Sequence, residues 1–406
     1  MENIDYTNSF ELENSYKEAI DEWQHPLHRT CSRLGSFPPE LAHYFIKRYS
    51  KEGDRVLDPF SGKGTAPLEA CLLDRVGIGN DASPDAYTLT HGKVRPSNYS
   101  ETKERLNQLE DDFEGYDISN SDEDIKIFFS NHNLEQLEYL RDKLESSDTD
   151  MFIKSLILGI IHGKGDLALS LPMSHSYSMS PSYVETYAEE NDLNKPEKNV
   201  FECIRKKAKK VTSRDLSDTM GEAYCEEILD LELEEKVDFI VTSPPYYHAL
   251  TYAWDNWIRL WFLGHNYKEI RDKLIQTSDE EKYEKYMEES RRKMYNWLGD
   301  NSMCIVVVGD VSKNVKKDGE KKKQIINTAQ RLVEPARNVG FNTNIRIIND
   351  EIPEEDKYSD YIEKDEGVKI DRILELKKGE PEKQEVDTNW NIPYGSSQNT
   401  IEDFLK

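Results

Sequence analysis

No stretch of the 406 residues reaches the roughly 18 consecutive apolar positions that a membrane-crossing helix needs. The opening segment, MENIDYTNSFELEN, is acidic and has no apolar core, so it does not read as a signal peptide. A membrane-bound or secreted protein is not expected, and a cytoplasmic one is. Cysteine is scarce: Cys31, Cys71, Cys203, Cys225 and Cys304 are scattered, odd in number and form no CxxC pair. That argues against a disulfide scaffold or a Cys-rich zinc site and fits a reducing compartment. The histidines include no HxxxH pair with a helical acidic neighbour, so no metal site is predicted. Positive charge is also short: 53 Lys and Arg stand against 79 Asp and Glu, a formal net charge of -26. Phosphate repels a surface of that sign, so the chain does not coat nucleic acid. An enzyme with a local basic cleft stays open.

Hydrophobic residues at 36% and aromatics at 10% are enough for a folded core. From Arg55 onward, short apolar runs alternate with helical patterns. RVLDPF and VGIGND read as strands; the stretch from Ala66 to Asp74 and that from about Pro84 to His91 read as helices. Such alternation implies a parallel sheet. Residues 97–215 break the pattern with helical segments such as LEQLEYLRDKLE and FIKSLILGIIHG, and with a polar stretch, SLPMSHSYSMSPSY. Sheet signals resume with VDFIVTSPP, MCIVVVGDV, TNIRIIND and DRILELKKG. The expected organisation is a first half-domain over 1–96, a helical insert over 97–215, a second half-domain over 216–380 and a loosely packed polar tail over 381–406.

Two motifs carry chemistry. Asp58-Pro59-Phe60-Ser61-Gly62-Lys63-Gly64-Thr65 follows a strand and opens a helix. Glycines there let a ligand approach the backbone, and the helix start offers free N–H groups. About 20 residues on, the second strand ends at Asp81, where an acid can hold ribose hydroxyls. The P-loop spacing is absent, and Pro67 stands where a dinucleotide fingerprint has its third glycine. A plain structural turn fits the GxG pair equally well. The second motif, Thr242-Ser243-Pro244-Pro245-Tyr246-Tyr247, ends the strand VDFIV. The prolines stiffen the loop. The Ser243 hydroxyl and Pro244 carbonyl are acceptors, and Tyr246 offers a ring on which a base can stack. A proline-stiffened loop with a core aromatic is the bland alternative.

Together, DPFSGKGT and TSPPY resemble the amino-group DNA methyltransferases that use S-adenosylmethionine, and SRLGSFPPELAHYFI is similar to their flanking cofactor segment. The resemblance spans roughly residues 25–96 and 216–378. It implies an α/β fold, a Rossmann-like class I methyltransferase sheet with a largely helical insert. It implies a cofactor pocket lined by Asp58, Phe60, Gly62, Gly64 and Thr65, with Asp81 on the ribose and Phe37 and Pro38 closing the methionine end. Gly221 to Tyr224 would flank the adenine. Ser243, Pro244, Pro245 and Tyr246 become the catalytic loop. Serine in first position favours cytosine-N4 over adenine-N6. The implied partner is duplex DNA with a flipped base, and a restriction endonuclease or defence partner fits the family. An RNA amine methyltransferase and a catalytically silent module of a defence system are the rival readings. Cytosine-C5 chemistry is rejected, since it needs a cysteine nucleophile and no cysteine here follows a proline.

Two lysine-rich clusters interrupt the acidity: Arg205, Lys206, Lys207, Lys209, Lys210 and Arg214, and a second between Lys313 and Lys323. Either is a solvated face or a grip on DNA. His248 contacts base or phosphate, or is a polar loop residue. Trp254, Trp257, Trp261 and Phe262 read as helix core, with Tyr252 near enough to the loop to wall a base pocket. The insert, with its small polar side chains from Ser174 to Ser180, is the candidate for target recognition by its position.

Overall fold

A computed structural model describes residues 4–175, 177–245, 252–275, 280–317, 320–342, 345–351 and 370–394. The two runs read as strands form β2 (Arg55–Asp58) and β3 (Val76–Asn80), joined by α2 (Thr65–Leu72) after β1 (Ile4–Asn8) and α1 (Pro39–Tyr49). Helix α3 (Pro84–Val94) follows β3. The insert then contributes α4 (Tyr99–Asp111), α5 (Glu123–Phe128), α6 (Asn131–Lys143), α7 (Asp148–Ile160), α8 (Pro181–Glu190) and α9 (Val200–Val211). The sheet resumes with β4 (Glu222–Tyr224) and β5 (Val237–Thr242). Beyond it come α10 (Tyr252–Asp255), α11 (Trp257–Phe262), α12 (Tyr267–Lys273) and α13 (Glu280–Trp297). Next are β6 (Leu298–Gly309), the hairpin β7 (Val311–Lys317) and β8 (Glu320–Ile326), α14 (Thr328–Val339), β9 (Ile345–Glu351) and β10 (Ile370–Lys378).

Eight strands form one sheet in the order β1-β9-β10-β6-β5-β2-β3-β4. Only β10 runs antiparallel to its neighbours within that sheet. The order reverses between β2 and β5: from β2 the chain proceeds outward to β3 and β4, and from β5 outward to β6. Such a switch point leaves a crevice at the carboxyl ends of the two strands. This is the Rossmann-like class I methyltransferase arrangement. β1 is an addition that sequence patterning missed, because IDYTN is mostly polar and partly exposed on an edge.

Alternation along each strand builds two cores. Val56, Phe239, Val241, Met303 and Ile305 face α1 on one side, while Leu57, Ile240, Cys304 and Val306 face α13 and α14 on the other. Successive strand side chains point to opposite faces, and both faces are covered, so the strands read as nearly continuous apolar runs. The third core belongs to the insert but does not stop there. Leu134, Phe152 and Phe201 pack in one cluster with Leu68 of α2, Leu89 of α3 and Ile258 and Phe262 of α11. The insert is thus continuous with the sheet domain.

The stretch expected to pack loosely is tied down as far as Tyr394. Trp390 is 2% exposed and packs at a tilt against Trp23, ring centroids 4.6 Å apart. Its indole donates to the Asn14 carbonyl at 3.1 Å, and the Tyr394 hydroxyl donates to the Leu72 carbonyl at 2.6 Å. Composition misled here: a few buried aromatics outweigh many polar neighbours. Among the described residues, no helix is long and apolar enough to cross a membrane.

Candidate active site

At the switch point lies a cleft of ≈ 620 Å³. Its walls come from chain segments that are remote in sequence. Phe60 and Gly62 belong to the turn after β2, Asp81 and Ser83 to the end of β3, and Ile228 with Glu226 and Glu227 to the loop after β4. Ser243 and Pro245 follow β5, and Tyr252 and Tyr286 close it from α10 and α13.

The glycine turn is built by backbone geometry. Gly64 has φ +74, and a Cβ there would sit 2.8 Å from the Thr90 Cα. Gly62 has φ +53, and its N–H donates to the Asp81 carboxylate at 2.9 Å. The other Asp81 oxygen accepts from the Ser83 N–H at 2.9 Å. Each carboxylate oxygen retains a further lone pair for a ligand hydroxyl. Burial pushes the Asp81 carboxyl up, against the pull of Arg33.

Asp58 joins the two motifs. One of its oxygens accepts from the Thr242 hydroxyl at 2.6 Å and from the Phe60 N–H at 3.1 Å. β2 and β5 are adjacent and parallel, with Leu57 opposite Ile240, so the turns after them must leave the same edge. Burial raises the Asp58 carboxyl to about 7 in spite of those two donors.

Three supports were not visible in the sequence. Arg33 lines the cleft and donates through Nε to Asp85 at 3.0 Å. Burial would raise Asp85, but Arg33 and the Ser83 hydroxyl hold it below the usual carboxylate range. Tyr283 of α13 donates to the Pro245 carbonyl at 2.7 Å, fixing the loop that follows β5. Glu69, in the middle of α2, is hydrogen-bonded to His28 at 2.5 Å and to His43 at 2.9 Å. Burial pushes its carboxyl up and both imidazoles down, which favours neutral forms of all three. These pairs join residues 26 to 52 positions apart, beyond the reach of local patterning.

Residues 5–91 match the family described as DNA methylase, of the N6/N4 type. Type II methyltransferase M.MjaII of Methanocaldococcus jannaschii is 33% identical over 72 residues, 18% of this chain and 14% of its own length. Over that stretch the chain is similar to amino-group DNA methyltransferases. Type II methyltransferase M2.DpnII of Streptococcus pneumoniae is 31% identical over 90 residues, 21% of this chain and 34% of that protein. The chain thus matches about a third or less of the length of these relatives. Among solved structures, a putative DNA modification methylase from Thermus thermophilus, complexed with S-adenosyl-L-methionine, is similar over 39% of this chain and 52% of its own at 20% identity and a TM-score of 0.22.

The remaining sequence-derived candidates fall in different places. Phe37 is buried in the core with Trp23 and Leu41, and Pro38 is exposed at the start of α1; neither lines the cleft, whereas Arg33 and Gly35 just upstream do. Thr65 is buried in the first turn of α2, behind the lining. Gly221 packs against the Gly77 carbonyl, and the loop that reaches the cleft is Glu226 to Ile228. Pro244 is buried between Ser243 and Pro245. Tyr246, His248 and Ser176 lie outside the described residues. In α9, Lys207 turns inward to the Arg29 carbonyl at 2.7 Å, and Lys206 pairs with Glu202 at 3.6 Å. Beyond Lys209 and Lys210 the chain reaches Ser217, whose hydroxyl donates to Cys71 at the far end of α2. That end of α9 leads toward the edge where the strands begin, away from the cleft. The loop from Ser174 to Ser180 instead meets α10 and α11: the Ser178 N–H donates to the Asp255 carbonyl at 2.7 Å, and the Trp257 indole to the Met179 carbonyl at 3.1 Å.

Proposed function

We propose that the protein transfers a methyl group from S-adenosylmethionine to the exocyclic amine of a base extruded from duplex DNA, with cytosine-N4 preferred over adenine-N6. The observation that carries this reading is the single cleft shared by Gly62 and Asp81 on one side and Ser243 and Pro245 on the other. Its donor set suits the cofactor: Asp81 for ribose hydroxyls, a glycine turn for close backbone approach, and the Arg33 guanidinium for a carboxylate. When bound, the cofactor supplies an electrophilic methyl group on a sulfonium.

The chain's own part is to hold and polarise the amine. The lone pair of an exocyclic amine is delocalised into its ring. Acceptors at the Ser243 hydroxyl and the Pro244 carbonyl draw the N–H bonds out of that plane and localise it. Tyr283 fixes the Pro245 carbonyl and so stiffens the loop carrying those acceptors. This is catalysis by positioning and electrostatics, without a strong base. Extrusion of the base costs a few kcal/mol, which stacking on Tyr246 would offset. Ser243, not aspartate, in the first position of the loop supports the cytosine preference. A cognate restriction endonuclease or defence partner is part of the same reading.

The test is nucleoside mass spectrometry of unmodified DNA after incubation with the chain and S-adenosylmethionine. N4-methylcytosine is expected. N6-methyladenine alone reverses the base preference, and methylated nucleosides in RNA but not DNA select the RNA rival. Ser243→Ala should lower turnover by about 10²–10³-fold while cofactor affinity holds. Asp81→Ala should instead weaken cofactor binding by about 10–100-fold, from the loss of charge-assisted hydrogen bonds.

A further inference from the structure

We propose that Asp85, which does not itself line the cleft, is a positioning residue for the cofactor: its carboxylate holds the Arg33 guanidinium by Nε and so leaves the two Nη groups for the carboxylate of S-adenosylmethionine. The inference rests on the methyltransferase reading and deepens it, since it says how the cleft tells one end of its cofactor from the other.

The charges of the cleft are lopsided. Asp81, Glu226 and Glu227 line it, and among its described lining residues Arg33 is the sole cation. A ligand carboxylate therefore has one favourable place there, beside Arg33. The Arg33 side chain is 6% exposed, yet among the described residues only its Nε has a hydrogen-bond partner, the Asp85 carboxylate at 3.0 Å. A guanidinium carries its N–H donors in a rigid planar fork. Those on Nη1 and Nη2 are left over, and Nη1 lies beside the glycine turn, 3.6 Å from the position a Cβ would take on Gly62. Charged donors so nearly buried are costly to leave unmade, and an anion in the cleft would satisfy them.

Asp85 decides where that fork points. It is fully buried in the first turn of α3, and its other oxygen accepts from the Ser83 hydroxyl. With one oxygen on each partner, the carboxylate has little room to turn. Burial works against the charge on Arg33, but Asp85 and then Asp81 hold its pKa above the ordinary value. Asp81 is thus the competing acid. Its oxygens already accept from the Gly62 and Ser83 N–H groups, and their remaining lone pairs are the ones left for ribose hydroxyls. Without the Asp85 charge, the guanidinium would be drawn to Asp81, and the Nη donors and the ribose acceptors would consume one another. Asp85 keeps the two subsites apart. An acid in the first turn of a helix also complements the helix dipole. That role acts on stability and does not distinguish two ligands that differ only in a carboxylate.

The experiment is calorimetry on the full chain with S-adenosylhomocysteine and with its decarboxylated analogue. The wild type should prefer the former by about 10–100-fold, the effect expected of charge-assisted hydrogen bonds. Asp85→Ala should bring that ratio to within about 3-fold of unity, as the bonds to the carboxylate are lost. Asp85→Asn keeps the shape and an acceptor for Nε but not the charge; its ratio should fall between the two, and it serves alone if thermal denaturation shows that the alanine variant does not fold. A wild-type ratio retained in the asparagine variant overturns the positioning role, as does a loss of affinity that is equal for the two ligands. So does a wild type that binds both ligands equally well. In each of these cases binding of S-adenosylhomocysteine by the wild type still supports the methyltransferase reading. A wild type that binds neither ligand overturns that reading, and this proposal with it.

Discussion

At the residue scale, the site depends on positions where only one side chain works. Gly64 combines a left-handed backbone with a Cβ position 2.8 Å from the Thr90 main chain. Gly64→Ala should destabilise the fold by about 1–3 kcal/mol and weaken cofactor binding, read by urea denaturation and calorimetry. Tyr283 donates to the Pro245 carbonyl in the loop after β5. Tyr283→Phe removes one hydrogen bond, worth about 1 kcal/mol. The expected result is a several-fold fall in turnover with cofactor affinity unchanged; an equal fall in both would mean general damage. Asp58 is the pH-sensitive member. Its carboxyl stands near 7 in the fold against 3.8 for the free group. The folded state therefore holds the proton more tightly, and Asp58 contributes its full stability below about pH 4, losing it as pH rises toward 7. Asp58→Asn keeps both accepted hydrogen bonds and should remove that decline. Urea midpoints of the two proteins should diverge across this window, by up to about 1.4 kcal/mol per pH unit; parallel curves would place the carboxyl's titration elsewhere.

At the scale of elements, β2, α2 and β3 form a unit whose glycine turn is held from below. Glu69 ties α2 to His28 and to His43 of α1, so the helix behind the cofactor turn is anchored by a fully paired buried carboxyl. The segment from Val386 to Tyr394 acts as a strap. It joins the N-terminal segment through Asn14, which donates to the Val386 carbonyl at 2.5 Å, and reaches α2 through Tyr394 and Leu72. Trp390→Ala should cost about 3–5 kcal/mol, the usual range for truncating a buried tryptophan, and the loss should appear in the denaturation midpoint. A change below about 1 kcal/mol would mean that the strap only rests on a core stable without it. The hairpin β7–β8 differs in kind, since it is paired with itself and not with the main sheet.

At the scale of the molecule, a sheet covered on both faces carries a helical insert that shares a core with α2, α3 and α11. Leu68 and Leu89 sit against Phe152 and its neighbours across the nominal boundary. A fragment of residues 97–215 alone would expose that face to water, so it is expected to lack a cooperative thermal transition by circular dichroism. A sharp transition would show that the insert is an independent domain. The same continuity lets the insert's loop at Ser178 and Met179 hold α10 and α11, the first of which lines the cleft through Tyr252.

What could be read from the residues in order was whatever depends on local periodicity and special backbone chemistry. Alternation placed β2, β3, β5 and β6; glycines marked the turn after β2, and a pair of prolines marked the end of β5. Asp81 followed from its position at a strand end. Contacts that arise only when distant segments close on one another were decided by tertiary structure. Arg33 replaced Phe37 and Pro38 at the cleft because the chain before α1 turns Phe37 into the core. Of the α9 lysines, Lys207 is engaged by the Arg29 carbonyl, a contact that exists only once the helix docks. Charge and hydropathy are properties of each residue by itself, so sequence determines them. Which side of a sheet they end on is a property of crossovers between strands, and only the closed fold decides it.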